Sequence, residues 1–278
     1  MSGTALRTTV PANESENDMT AQTLHVTRWG DSGPRVVLVH GSAQGGALGG
    51  ERHFVAQQRL AQMGWQVIVP DRPGHGKTPS PGRPDEAQAD AALVAPLLGD
   101  SAHLVGHSFG GCVALAAAAM RPEAVRTLTL IEPAMMLLAM DDPVVRRFGL
   151  RMLRILFLSF SPTARIRRFC ELVNIPAEIR GASDVQEQRQ MGKAIRRLKL
   201  PSKAEVQAQL QAVKAAGIPL LVVTGGWSPA FEATSDRVAS VGGGRRVVIP
   251  SPHHFPQQIS EEFNDTLAAF MREREERS

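Results

Sequence analysis

Tyrosine is absent from this chain, and aromatic residues make up only 5% of it. With no known reading motif either, nucleic acid is not an expected partner. Cysteine is almost as scarce. Cys112 and Cys170 cannot make a disulfide framework and read as free thiols in a reducing compartment. Neither H-E-x-x-H nor paired-Cys spacing occurs, so no metal is expected. No apolar run approaches the roughly 18 residues of a membrane span. The longest uncharged, mostly apolar stretches are Cys112 to Met120 and Pro133 to Met140. Met1 to Asp18 is polar and lacks the apolar core of a signal peptide. Residues 1–20 therefore read as a flexible leader, with Met19 a candidate start and the cytoplasm the expected location.

What remains is ordinary globular material. The 278 residues are 43% hydrophobic and 21% charged, which suits one large domain or a domain with an inserted subdomain. The net charge of +4 is unevenly placed. Asp141 to Ala216 holds 15 basic and 7 acidic residues, so the remainder is slightly acidic. Arg146, Arg147, Arg151 and Arg154 alternate with Phe148, Leu150, Leu153, Leu156 and Phe157 at helical spacing. The plain reading is a solvated face of an amphipathic helix. Attraction of an acidic substrate, or a membrane-surface helix, is the other.

Strand and helix patterns alternate. Strands are expected at Leu24 to Trp29, Arg35 to His40, Trp65 to Val69, Ala102 to Gly106 and Val125 to Ile131. Helices are expected at Glu51 to Met63, Asp85 to Leu98, with Pro96 distorting the last turn, and Gly110 to Met120. From Pro133 to about Gly217 there are helical patterns but no convincing strand. Alternation resumes with a strand at Ile218 to Thr224, a helix near Ala230 to Ser240, a strand at Arg245 to Ile249 and a helix from about Pro256 to Arg274. The implied fold is α/β: a doubly wound, mostly parallel sheet, with 21–133 and 217–278 as core and 134–216 as an inserted helical cap. Such an insertion covers the carboxyl ends of the strands, where open α/β sheets bind ligands.

Gly106-His107-Ser108-Phe109-Gly110 fits G-x-S-x-G. Alone the pattern is weak, since roughly one random chain in seven of this composition would contain it. Its setting is specific: a strand precedes it and an alanine-rich helix follows. Flanking glycines remove Cβ atoms that would clash at a sharp turn, which lifts the serine clear at a helix N-terminus.

Three further motifs stand beside it: His40-Gly41-Ser42 after a strand, Asp71-Arg72-Pro73-Gly74-His75-Gly76 after the next, and the helical block. With these, the chain resembles the α/β-hydrolase superfamily over about Leu24 to Met271. The resemblance implies a nucleophile elbow at Ser108, an oxyanion loop at His40 to Ser42, and no cofactor.

Serine needs a base to accept its proton. The residues alone leave His253 and His254 both open; the resemblance favours His254. His107 is expected to pack or line a pocket, and His40 and His75 to order loops. Superfamily members often carry the third member, an acid, after the penultimate strand. Here Thr224-Gly225-Gly226-Trp227-Ser228-Pro229 places Ser228 at that position, and a neutral serine cannot stabilise an imidazolium. Glu132, at the end of the strand after the elbow helix, is the favoured replacement. Certain lactone hydrolases and dehalogenases resemble this in placing their acid there. Glu232 and Asp236 are the runners-up; Asp71, another strand-end acid, is expected to hold the HG loop by hydrogen bonds, with a functional role as its alternative.

Backbone N–H groups of Phe109 and Ser42, with Ala43 as alternative, are the expected oxyanion donors. Gly45, Gly46, Gly49 and Gly50 lack dinucleotide spacing; they either admit a substrate to the backbone or make a mobile loop. Met135, Met136, Leu137, Leu138, Leu153 and Phe157 are candidates for an apolar pocket. The expected activity is hydrolysis of a carboxylic ester or lactone. C–C cleavage of a β-diketone, acyl transfer and a non-catalytic binder are the competing readings. The expected partner is a small molecule with an apolar part, with no stable membrane insertion; a homodimer is left open.

Overall fold

The computed structural model describes residues 23–41, 43–46, 48–180 and 184–276. The leader expected at 1–20, and Ser42, lie outside the described residues. Seven strands form one sheet: β1 (Val26–Trp29), β2 (Arg35–Val39), β3 (Gln66–Pro70), β4 (Ala102–His107), β5 (Val125–Ile131), β6 (Leu220–Thr224) and β7 (Arg245–Val248). Their order is β1-β3-β2-β4-β5-β6-β7. Only β1 is antiparallel to its neighbour; the other pairs are parallel.

Side chains alternate between the two faces of each strand, so a strand apolar throughout must be covered on both. In β2, Val37 and Val39 enter one core and Val36 and Leu38 the other. The first core is completed by α3 (Ala87–Val94), α4 (Phe109–Met120) and α9 (Lys203–Ala215). The second holds Phe54, Leu60 and the apolar stripe Phe263, Leu267 and Met271 of α11 (Glu261–Glu275). Nearly all of α4 is buried, as an alanine-rich helix apolar on every side should be.

The helix expected over Glu51 to Met63 is divided into α1 (Gly50–His53), a 3₁₀ turn Val55–Gln58, and α2 (Arg59–Gln62). Phe54, Gln57 and Leu60 are all fully buried, and a spacing of three fits the 3₁₀ repeat better than the α repeat. The helix expected from Asp85 starts at Ala87, because the Asp85 carboxylate is drawn into a buried pair with Arg72 instead of facing a helix terminus. Beyond Val94 the chain tightens into a 3₁₀ turn at Ala95–Leu98, around Pro96.

Between β5 and β6 lie α5 (Pro143–Leu158), α6 (Pro162–Leu172), α7 (Ala177–Arg180), α8 (Val185–Arg197) and α9. Four of them start on local signals. The side chains of Asp142, Ser161 and Asp184 accept N–H bonds from the first turns of α5, α6 and α8, and Ser202 with Glu205 forms a capping box on α9. Pro143 and Pro162 occupy the first helical positions, where a missing N–H costs nothing. Whereas α9 packs on α4, α5, α6 and α8 supply walls of the cavities at Ser108. Among the described residues no helix is long and apolar enough to cross a membrane. The remaining helix, α10 (Pro229–Gly242), follows β6.

Candidate active site

The turn between β4 and α4 puts Ser108 at φ 55°, ψ −123°, a conformation few non-glycine residues adopt. Its neighbours must be glycines. A Cβ on Gly106 would stand 2.4 Å from the Gly110 carbonyl oxygen, and one on Gly110 would stand 2.2 Å from that of Val39. The strained turn is tied down by backbone bonds: Ser108 N–H donates to the Ile131 carbonyl (2.9 Å), and the Ser108 carbonyl accepts from Gly111 and Ala134. Phe109 opens α4, where the first N–H groups have no intrahelical acceptor.

Glu132 follows β5 directly, at φ 44°. Its N–H donates to the Val223 carbonyl (2.9 Å), and its side chain is fully buried. Oε1 accepts from Gly225 N–H (2.8 Å); Oε2 accepts from Trp227 Nε1–H (2.9 Å) and His254 Nδ1–H (2.8 Å). Three donors thus converge on one dry carboxylate. The loop after β6 carries no acid at Ser228; it supplies two donors to an acid from the neighbouring strand. Glu232 and Asp236 are elsewhere, both paired with Arg246 (2.7 and 2.8 Å).

His254 is 3% exposed. Its backbone is fixed on both sides: its N–H donates to the Asn174 carbonyl (3.3 Å), and its carbonyl accepts from His107 Nε2–H (2.8 Å). Phe231 packs on its ring, centroids 4.6 Å apart. The bond to Glu132 uses Nδ1 and leaves Nε2 for the cavity. His253 turns into its own loop, with Nδ1 accepting from Phe255 N–H (3.2 Å). Ser108 and His254 line one cavity of about 660 Å³ and are not hydrogen-bonded to each other. The non-glycine residues with positive φ among those described are Ser108, Glu132 and Asn174, so backbone strain gathers at this one corner.

The structure therefore brings Ser108, Glu132, His254 and the Phe109 amide to one end of the sheet. Ser42 lies outside the described residues; Ala43, its alternative, lines the cavity. Asp71 knots two loops, accepting from Gly50 N–H and Lys77 N–H at 2.8 Å each. His40 Nε2 accepts from Arg72 N–H (2.9 Å) and His75 Nδ1–H donates to the Pro73 carbonyl (3.1 Å), so both order loops. His40, His53 and His107 are in ring contact in sequence, and His107 also meets His254. Burial depresses the pKa of His40 and His107 well below the usual range, of His53 to about 3 and of His75 to about 4, and the Arg72 charge adds to it at His40, His53 and His75.

Sequence reasoning missed the fully buried Arg72. It pairs with Asp85, lies 3.4 Å from Asp90, and stands over the Phe109 ring at 4.8 Å. Asp85 also accepts from Gln44 N–H (3.0 Å), which anchors the loop after β2. The Asp71 to Gly76 motif contained Arg72, but nothing in the sequence named its distant partners. The glycine loop is held close against its neighbours. Gly45 and Gly46 make room for Gln190 and Met191 of α8, while Gly49 and Gly50 make room for Asp71 and Pro70. A second cavity of about 230 Å³ also opens at Ser108. Met136, Leu137 and Leu153 line it as expected. Met135 and Leu138 instead belong to the first core, and Phe157 faces solvent at 57% exposure.

The family model described as "Alpha/beta hydrolase family" matches residues 36–269. The chain belongs to the alpha/beta hydrolase family. Among curated members of similar sequence, Lipase LipV of Mycobacterium tuberculosis (strain ATCC 25618 / H37Rv) is 39% identical over 128 residues, 44% of this chain and 45% of that protein. Esterase Rv0045c of the same organism is 33% identical over 119 residues, 40% of this chain and 37% of that protein. This alpha/beta hydrolase thus aligns with less than half the length of either. Its fold also matches the crystal structure of an alpha/beta hydrolase from Sphaerobacter thermophilus DSM 20745, with 25% identity and a TM-score of 0.61, over 89% of this chain and 95% of that one.

Proposed function

We propose that this chain hydrolyses carboxylic esters through an acyl-enzyme, with Ser108 as nucleophile, His254 as base and Glu132 as the acid that orients it. The reading rests above all on the 2.8 Å bond from His254 Nδ1–H to Glu132, in a ring that lines the same cavity as Ser108. Ser108 Oγ attacks the ester carbonyl carbon as its proton passes to His254 Nε2. The buried Glu132 carboxylate balances the imidazolium charge. The Phe109 amide, with that of Ser42, stabilises the oxyanion. Collapse of the tetrahedral intermediate breaks the C–O bond, and His254 returns the proton to the departing alkoxide. Water then repeats the sequence on the acyl-enzyme, releasing the carboxylic acid.

The two cavities divide the substrate. A leaving alkoxide must lie near His254, and His254 lines only the larger cavity. The smaller one lacks it and is walled by Met136, Phe148, Met152, Leu156, Ile195 and Phe231, which suits an apolar acyl chain. An acyl part and an alcohol part that diverge from one carbonyl favour an open-chain ester over a lactone. On this reading α5, α6 and α8 form a cap over the site.

A fluorophosphonate probe separates this enzyme from a binder on the same scaffold. Rapid labelling that disappears in Ser108→Ala, together with turnover of p-nitrophenyl esters, is expected. A well-folded protein whose Ser108 stays unlabelled would overturn the proposal.

A further inference from the structure

From Pro143 to Cys170 the chain holds seven arginines and no acidic residue or lysine. Arg165 is buried, bonded to the Leu156 and Gly192 carbonyls. Arg167 is 3.9 Å from Glu171. Arg146, Arg147, Arg151, Arg154 and Arg168 have no ion-pair partner among the described residues.

The leucines of α5 do not all face inward, as a simple amphipathic helix would require. Val145, Phe148, Met152, Ile155 and Leu156 point to the body, while Leu150, Leu153 and Phe157 share the exposed half with the arginines. At 100° per residue, Leu150, Leu153 and Phe157 form one stripe. Arg147, Arg151 and Arg154 form the stripe beside it. The apolar stripe runs into the turn between α5 and α6. Leu158 there is 73% exposed and Phe160 82%, the highest values among the described large hydrophobic residues. Guanidinium groups rim this tip: Arg196 stands over the Phe157 ring at 5.7 Å and Arg168 over the Phe160 ring at 5.4 Å.

We infer that the exposed face of α5 and the α5–α6 turn docks on an anionic lipid surface. Two observations select that occupant. Unpaired arginines without a carboxylate among them complement a negatively charged headgroup layer. Side chains this exposed project from the body, and a fluid acyl layer receives such projections without a matching groove. The position gives docking a use. Phe160 lines the larger cavity and Leu153 the smaller, so a lipid surface on this face borders both entrances. The contact is peripheral, and it is independent of the esterase reading: Ser108→Ala protein docks as the wild type does.

Flotation of the full chain with vesicles tests this. With equimolar phosphatidylglycerol and phosphatidylcholine at 0.1 M salt the protein floats; with pure phosphatidylcholine binding is at least about tenfold weaker. Raising the salt to 1 M, which shortens the screening length to about 3 Å, removes most of the preference. The double variant Leu150→Ser/Leu158→Ser lowers partition about tenfold or more, and Arg151→Glu/Arg154→Glu abolishes the phosphatidylglycerol preference. Both variants melt as the wild type does, since their side chains face solvent. Wild-type protein that stays at the bottom with both vesicle types overturns the inference, as does equal flotation with both or flotation unchanged in the variants. So does a dimer in sedimentation velocity that the leucine variant splits and that binds no vesicle; a second copy of the chain would then cover the face.

Discussion

The floor of the cavity and its roof are held by different forces. On the floor, Ser108, Glu132 and His254 leave strand ends or a tight loop, and each has its backbone bonded on at least one side. Their surroundings are dry and strained, and the one buried carboxylate among them, Glu132, is held by three N–H donors. The roof, which on the proposed reading is α5, α6 and α8, starts on caps and prolines, carries exposed arginines and leucines, and lines the cavities with apolar side chains. A rigid floor suits bond making, where small displacements are costly. A roof of apolar side chains suits choosing what enters.

Acid should break the floor first, with the largest effect. His53 and His75, held near 3 and 4, stay neutral in the fold but take up protons near 6.5 once unfolded. The unfolded state therefore binds more protons below pH 6.5, so stability rises with pH up to that point and falls as pH drops toward 4. At pH 5 each such histidine costs up to about 2 kcal/mol. His40 and His107 act in the same direction. His53 and His75 alone thus remove up to about 4 kcal/mol, close to the lower end of a domain's typical stability of about 5–15 kcal/mol. Thermal melts should show Tm nearly flat above pH 7 and collapsing between pH 6 and 5. A Tm indifferent to pH over that range would mean that these rings are not buried as neutral groups.

Next in size is the carboxylate. Glu132→Gln keeps the shape but removes the charge that balances the His254 imidazolium, and its NH2 can donate to Nδ1, which favours the wrong imidazole tautomer. We expect kcat on a p-nitrophenyl ester to fall by about 10³–10⁴, with KM little changed. Asp236→Asn, at the exposed partner of Arg246, should leave kcat within about twofold. The reverse pattern would return the orienting role to the loop after β6.

Much of the floor was legible in the sequence because it depends on short-range rules. G-x-S-x-G is a steric statement about one turn, and apolar runs such as Val36 to Val39 announce a strand covered on both faces. Glu132 could be nominated because Ser228 left a gap that a strand-end acid could fill. Its donors Gly225 and Trp227 were out of reach, since they depend on the β5–β6 register. Arg72 was missed for the same reason: a buried guanidinium is intelligible only beside Asp85 and Asp90. In the roof, helical spacing located α5 and offered Leu153 and Phe157 for a pocket; Leu153 lines one and Phe157 faces solvent, because periodicity gives the shape of a stripe and not which way it faces. Phe54, Gln57 and Leu60 show the converse, with tertiary burial imposing a 3₁₀ repeat on a segment that reads as plain helix.

The smallest effect expected is also the sharpest test of the division between floor and roof. Leu156 belongs to α5 and lines only the smaller cavity, away from His254. Leu156→Trp fills that space without touching any group that moves a proton. For acetyl esters the acyl part ends near Ser108, so kcat/KM should stay within about twofold of wild type. For longer acyl chains, lost apolar burial and overpacking should lower kcat/KM by about 10–100-fold, the scale of one or two misplaced methylenes. Lengthening the alcohol part instead should show no such penalty, because that part occupies the larger cavity. If the variant discriminates against long alcohols and not long acyl chains, the two cavities exchange roles while the floor chemistry stands. If it lowers kcat for every ester alike, the roof is mechanically coupled to Ser108, and the separation drawn between the two regions fails.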